Sequence, residues 1–163
     1  MPVRFSNIQA AGATARWERA HALRLIAFDA SAELEFRDAY EATKSPRLLL
    51  EAAHSALDAG RYMPAVVAAR QEYPQLEARR WEDVPADVWR VTFPLAYGEF
   101  IVKHSKKNEL DPMLVAGLIR QETIFQSDAV SRAGAVGLMQ VLPSTGRRLA
   151  RAQKLRYSRA RLF

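Results

Sequence analysis

A chain of 163 residues, 49% hydrophobic and 26% charged, can bury a core, which excludes a disordered polymer; its length suits one domain or parts of two. It has no cysteine, so disulfides and thiolate chemistry are excluded. The net charge of +6 is uneven: Arg147, Arg148, Arg151, Lys154, Arg156, Arg159 and Arg161 crowd the end of the chain with no acid among them, while the remainder carries 17 bases against 18 acids.

In chain order, Met1 to Ala20 lacks the continuous apolar core of a signal peptide, and no span approaches about 18 apolar residues, so no transmembrane segment is expected. From about Thr14 to Tyr73 the pattern predicts alanine-rich helical hairpins, with Ala32, Phe36, Ala39 and Tyr40 at helical spacing. Ser45 and Pro46 predict a cap and first helical residue, Gly60 a helix end, and Arg61 to Glu72 the return helix. The segment Leu48 to Pro74 reads as one helix–turn–helix unit of a tetratricopeptide kind, a unit that stacks rather than folding alone. Pro85 and Pro94 mark a connector. The chain thus divides into three spans: 1–80 as helical repeat, 81–96 as connector, and 97–163 as a second helical region.

In that second region Tyr97 to Lys107 predicts a short amphipathic helix, with His104 as a partly buried structural residue. Asp111 and Pro112 cap and start the next helix, whose last turn carries Glu122. Pro143 opens a final helix running into the basic tail. Without sustained alternation for a sheet, the fold class is mainly all-α. A basic tail suits nucleic acid, anionic lipid or an acidic polymer such as peptidoglycan, although a solvated helix face is the plainer reading.

Glu122 is the residue with chemistry. At about 100° per residue, Leu114, Val115, Leu118, Ile119 and Phe125 share an arc of roughly 140°, and Glu122 falls inside it. A carboxyl there is costly to bury unless it is paired with an arginine, sits at the stripe's margin, or is used. Desolvation would favour its protonated form, the condition of a general acid. Rival constellations are missing: no G-x-S-x-G elbow, no H-E-x-x-H, no phosphate loop and no dinucleotide fingerprint. His21, His54 and His104 lack metal-ligand spacing, and neither metal nor cofactor is expected. Asp128, the nearest downstream acid, reads as a turn residue.

The string E-T-x-F-x-x-x-A-V-S-x-x-G-A-x-G-L-M-Q-x-x-P-x-T, from Glu122 to Thr145, resembles the catalytic segment of the soluble lytic murein transglycosylases, a lysozyme-like family; Thr123 stands where many members have serine. The resemblance implies a superhelix of helical hairpins followed by a lysozyme-like domain, of which residues 97–163 would be the first half, so that the chain is expected to be a fragment. It implies cleavage of the β-1,4 bond between N-acetylmuramic acid and N-acetylglucosamine. Glu122 would act as sole acid and base, and the muramic 6-hydroxyl as the nucleophile giving a 1,6-anhydro product. Ser131 matches a family residue that hydrogen-bonds near the reacting sugar, and Gln140 one that orients substrate through an amide able to donate and accept. Gly134 and Gly137 would let sugar approach the main chain, and Met139 would line the groove or belong to the core. The implied partner is the peptidoglycan glycan strand, with no nucleic acid, and the implied place is the periplasm or cell envelope. A non-catalytic helical-repeat or peptidoglycan-binding remnant and a lysozyme-type hydrolase are the alternatives.

Overall fold

The structure, a computed structural model, describes residues 12–163. The reading of Met1 to Ala20 for a targeting segment therefore falls largely outside the described residues. Eight α-helices appear among the described residues, with isolated β-bridges in place of strands. The mainly all-α expectation holds. The chain divides into two compact units, Met1–Pro94 and Leu95–Phe163.

The first unit is a run of packed helices: α1 (Ala13–Leu25), α2 (Asp29–Thr43), α3 (Pro46–Asp58), α4 (Tyr62–Glu72) and α5 (Ala86–Thr92). Each of α1 to α4 packs against the next, and α5 against α3 and α4. Alanine is what allows this. Ala20, Ala32, Ala39, Ala52, Ala53, Ala56, Ala65 and Ala69 are all buried completely, and a side chain that small lets helix backbones approach with no rotamer entropy to lose.

The α3 helix explains why the unit continues beyond one hairpin. Its neighbouring pairs Leu48 and Leu49, Ala52 and Ala53, make two adjacent apolar stripes about 100° apart. Leu48 and Ala52 join Phe36 and Ala39 of α2, whereas Leu49, Ala53 and Ala56 join Ala65, Ala68 and Ala69 of α4. A helix buried on two sides belongs to a stack, as the tetratricopeptide-like reading of Leu48 to Pro74 requires.

Local signals act where the sequence puts them. Ser45 is the N-cap residue and Pro46 the first helical residue of α3, although the Ser45 hydroxyl makes no capping bond. At the other end Gly60 takes φ +71°, and Arg61 N–H donates to the Ala56 carbonyl at 2.8 Å, a six-to-one closure that needs the left-handed residue before it. Residues 81–96, read as a connector from their prolines, are folded. A short 3-10 turn (Trp81–Asp83) precedes α5, whose Val88 and Val91 are buried with Leu76 and Val84 on one side and the α3/α4 alanines on the other.

One buried charge is built into this unit. Glu33 of α2 is 1% exposed, with Arg37 at 3.0 Å one turn on and Arg61 at 2.8 Å from the α3–α4 turn. The second unit holds α6 (Gly98–Lys107), α7 (Pro112–Thr123) and α8 (Pro143–Ala152), a long loop between α7 and α8, and a 3-10 turn at Arg159–Leu162. Its buried apolar residues are mostly small, with Phe125 and Val136 the largest fully enclosed ones.

Candidate active site: the end of α7 and the loop after it

Asp111 begins α7 as expected: its carboxylate accepts from the Met113 N–H at 2.8 Å, and Pro112 occupies the first turn, where a missing N–H costs nothing. Twelve residues later the helix stops abruptly. Ile124 and Phe125 both adopt positive φ, +50° and +60°. For a β-branched residue that is a strained conformation. Burial of the Phe125 ring, 2% exposed, is what holds it.

Glu122 lies in the last turn of α7 and is exposed. The expectation of a desolvated carboxyl on a buried face is therefore corrected. The face of α7 that turns inward carries Ala116, Ile119 and Thr123, whereas Met113, Leu114 and Leu118 are 59%, 69% and 45% exposed. Helical periodicity locates the apolar arc but not which half of it the unit covers. Leu114, Leu118 and Glu122, spaced by four, form one solvent-facing stripe ending in the carboxyl.

The next residue, Thr123, anchors the helix end that carries the carboxyl. Its buried hydroxyl lies 3.3 Å from the Ile119 carbonyl and donates to the Leu138 carbonyl at 3.0 Å, tying the end of α7 to the loop fifteen residues on. In the sequence this position carries little weight, because serine and threonine differ little in chemistry; a hydroxyl on the inward face of a helix's last turn is the available signal.

The loop folds on itself through two antiparallel bridges, Val130 with Val136 and Val136 with Val141. Ser131 helps shape it: its Oγ accepts from the Ala135 N–H at 3.0 Å, leaving the hydroxyl proton available to a ligand. Gln140 is committed further. Its amide nitrogen donates to the carbonyls of Ala129 at 3.3 Å and Gly137 at 3.0 Å, so only its oxygen is left to offer, as an acceptor. The expectation that Gln140 both donates to and accepts from substrate is narrowed accordingly. Met139 is 45% exposed on the same loop, which favours the groove over the core.

Gly134 and Gly137 differ. Both have positive φ, +78° and +74°; around Gly134 a side chain would meet open space, whereas a Cβ on Gly137 would stand 1.7 Å from the Leu162 carbonyl oxygen. The close approach expected of a sugar at Gly137 is taken by the chain itself. Gly137→Ala should therefore expel the Arg159–Leu162 turn from the loop, besides adding backbone strain of about 1 kcal/mol or more. Limited proteolysis should show faster cutting between residues 153 and 163 in this variant; an unchanged pattern would refute the contact.

The other candidates separate. Asp128 is an exposed turn residue. His104 is exposed on α6, not partly buried as expected. His21 packs between the rings of Trp17 and Phe36, where burial pushes its imidazole below the ordinary range, and His54 sits 3.7 Å from Asp87. None of the three shares an element with Glu122. Among the described residues no His, Cys, Asp and Glu cluster could hold a metal ion, and no helix is long and apolar enough to cross a membrane. A cavity of about 580 Å³ lies between α6, α7 and the final turn, lined by Phe100, Ile101, Val115, Ile119, Leu138, Met139 and Leu162 among others. Its walls are mostly apolar and do not include Glu122, Ser131 or Gln140.

Glu122, Ser131 and Gln140 thus all lie in the second unit, in the last turn of α7 and the bridged loop after it. Residues 99–162 match the family described as Transglycosylase SLT domain, a stretch that contains all three of these residues. Membrane-bound lytic murein transglycosylase C of Actinobacillus pleuropneumoniae, in the serotype 5b strain L20 and the serotype 3 strain JL03, is 40% identical over 58 residues, 36% of this chain and 16% of the relative. Among solved structures, lytic transglycosylase Slt of Pseudomonas aeruginosa, crystallised as an inactive glutamate-to-glutamine mutant, has a TM-score of 0.61 at 26% identity and covers 96% of this chain and 23% of its own. The 70 kDa soluble lytic transglycosylase of Escherichia coli shares the fold at a TM-score of 0.60 and 21% identity, over 96% of this chain and 24% of its own. The chain thus spans 16% of the curated relatives it matches and about a quarter of these solved structures.

Proposed function

We propose that this protein cleaves the glycan of peptidoglycan at the bond between N-acetylmuramic acid and N-acetylglucosamine, in the cell envelope, with Glu122 as the only proton-transfer group. The observation that carries the reading is the exposed Glu122 at the end of α7, a helix end tied through Thr123 to the loop that presents the Ser131 hydroxyl proton and the Gln140 amide oxygen. The glycan would lie across the exposed stripe of Leu114 and Leu118 and over the loop, contacting Met139. Its own apolar sugar faces would then exclude water from the reacting bond.

In this scheme Glu122 gives its proton to the glycosidic oxygen as the bond to the muramic C1 breaks. The resulting carboxylate takes the proton of the muramic 6-hydroxyl as that oxygen bonds to C1. The glutamate ends as it began, and the products are a free N-acetylglucosamine end and a 1,6-anhydro ring. Asp128, exposed in a turn, gives no support to a second catalytic carboxylate, so the nucleophile is assigned to the substrate. Ser131 would donate one hydrogen bond and the Gln140 oxygen accept one from sugar N–H or O–H groups.

Mass spectrometry of the material released from purified sacculi tests the scheme. Anhydro ends, lighter than hydrolytic ends by one water, are expected. Mainly reducing ends would mean a hydrolase, and no release at all would count against glycan cleavage by this chain.

A further inference from the structure

The charge of the molecule is segregated in a way the cleavage scheme does not use. The Leu95–Phe163 unit has twelve basic and five acidic residues, a net of +7, against −1 for Met1–Pro94. Most of the excess lies in α8 and the segment C-terminal to it. Arg147, Arg148, Arg151, Lys154, Arg156 and Arg159 are all exposed, and among the described residues none is in an ion pair.

These cations stand on a packed scaffold. Arg147, Arg148 and Arg151 share an arc of about 100° on α8. Gly146 lies beneath the Tyr157 ring and the Leu162 side chain, with Cβ-equivalent distances of 2.9 and 3.1 Å, so the segment after α8 lies directly on the helix. The Arg147 guanidinium is 5.6 Å from the centre of the Tyr157 ring, a cation–π distance. The same segment touches the candidate site through the Leu162 carbonyl at Gly137. A fixed basic face is therefore continuous with the loop that bears Ser131 and Gln140.

We propose that this face binds the carboxylates of the peptide stems that hang from the glycan, and so sets where along a peptide-bearing strand the protein docks. The proposal rests on the glycan-cleaving reading above, which places the strand on the adjoining loop. Peptidoglycan stems carry free carboxylates, and planar guanidinium groups bind a carboxylate through paired N–H donors. An anionic lipid surface is the weaker fit. The one large apolar side chain exposed on α8 itself, Leu149, lies about 100° or more from each arginine of the arc, and one leucine on a ten-residue helix gives little area to insert.

The test is co-sedimentation of the whole chain with insoluble sacculi. Native sacculi are compared with sacculi whose stem carboxylates have been amidated and whose glycan is untouched, at roughly 50 and roughly 500 mM sodium chloride. Amidation is expected to weaken binding about tenfold, and high salt to remove most of the difference. A variant with Arg147→Gln, Arg148→Gln and Arg151→Gln should show a loss of similar size on native sacculi and none on amidated ones. Equal binding to native and amidated sacculi by the unaltered chain overturns the proposal whether or not the variant folds. So does tighter binding to phosphatidylglycerol vesicles or to duplex DNA than to native sacculi, which would assign the face to another polyanion. The cleavage reading fails separately: stem-dependent binding with no anhydro products would remove the role of Glu122 and leave the docking face standing.

Discussion

Replacing Glu122 by Gln should lower the release of soluble muropeptides from purified peptidoglycan by about 10² to 10⁴-fold, the ordinary worth of positioned acid–base catalysis. The variant isolates the proton. Glutamine keeps the shape and hydrogen-bonding length of the side chain but can neither donate an acidic proton nor take one up. The position is exposed and makes no ion pair among the described residues, so helix content and thermal unfolding should not move. A glutamate-to-glutamine mutant is the inactive form in which the Pseudomonas aeruginosa relative was crystallised. A rate within a few-fold of the unaltered chain, with anhydro products still formed, would rule Glu122 out as the acid. Binding to sacculi should persist in the variant, because the groups assigned to docking lie on α8 and in the segment after it.

Much of the architecture is readable because it is written in local signals. Ser45, Pro46, Gly60, Asp111, Pro112 and Pro143 each act within one turn of the chain, and each bounds a helix where its chemistry requires. The motif from Glu122 to Thr145 is legible for another reason: a long string of mixed residue types specifies one loop. The misreadings depend on contacts remote in sequence. Periodicity shows that Leu114, Leu118 and Glu122 share a side of α7, but which side is covered depends on α6 and the loop that pack against it. Gly137 is legible as a point of close approach, but the approaching group is the Leu162 carbonyl, 25 residues on. The prolines around residues 81–96 suggest a connector because their punctuation is local, whereas the burial of Val88 and Val91 depends on partners in α3, α4 and the turn near Leu76.

Removing both Arg37 and Arg61 should destabilise the first unit by about 3 to 5 kcal/mol, enough to threaten a fold of ordinary stability. Glu33 is 1% exposed, and the two guanidinium groups at 3.0 and 2.8 Å are the cations that face its carboxylate. The arginines are themselves partly open to water, their side chains 40% and 46% exposed, so their own desolvation cost is modest. Nearly all the cost of burying this charge falls on the glutamate. Arg37→Leu with Arg61→Leu leaves an unpaired carboxylate inside the helical stack, where nothing offsets its loss of water. One arginine alone should cost much less, since the other can still neutralise the charge. The decisive comparison is the triple variant with Glu33→Leu added. If the penalty is that of an unpaired buried charge, the third substitution restores most of the lost stability, as read by urea denaturation of the whole chain. If the penalty comes instead from lost arginine packing against the α2 and α3–α4 surfaces, adding Glu33→Leu recovers nothing, and the carboxylate has no part in holding the stack together.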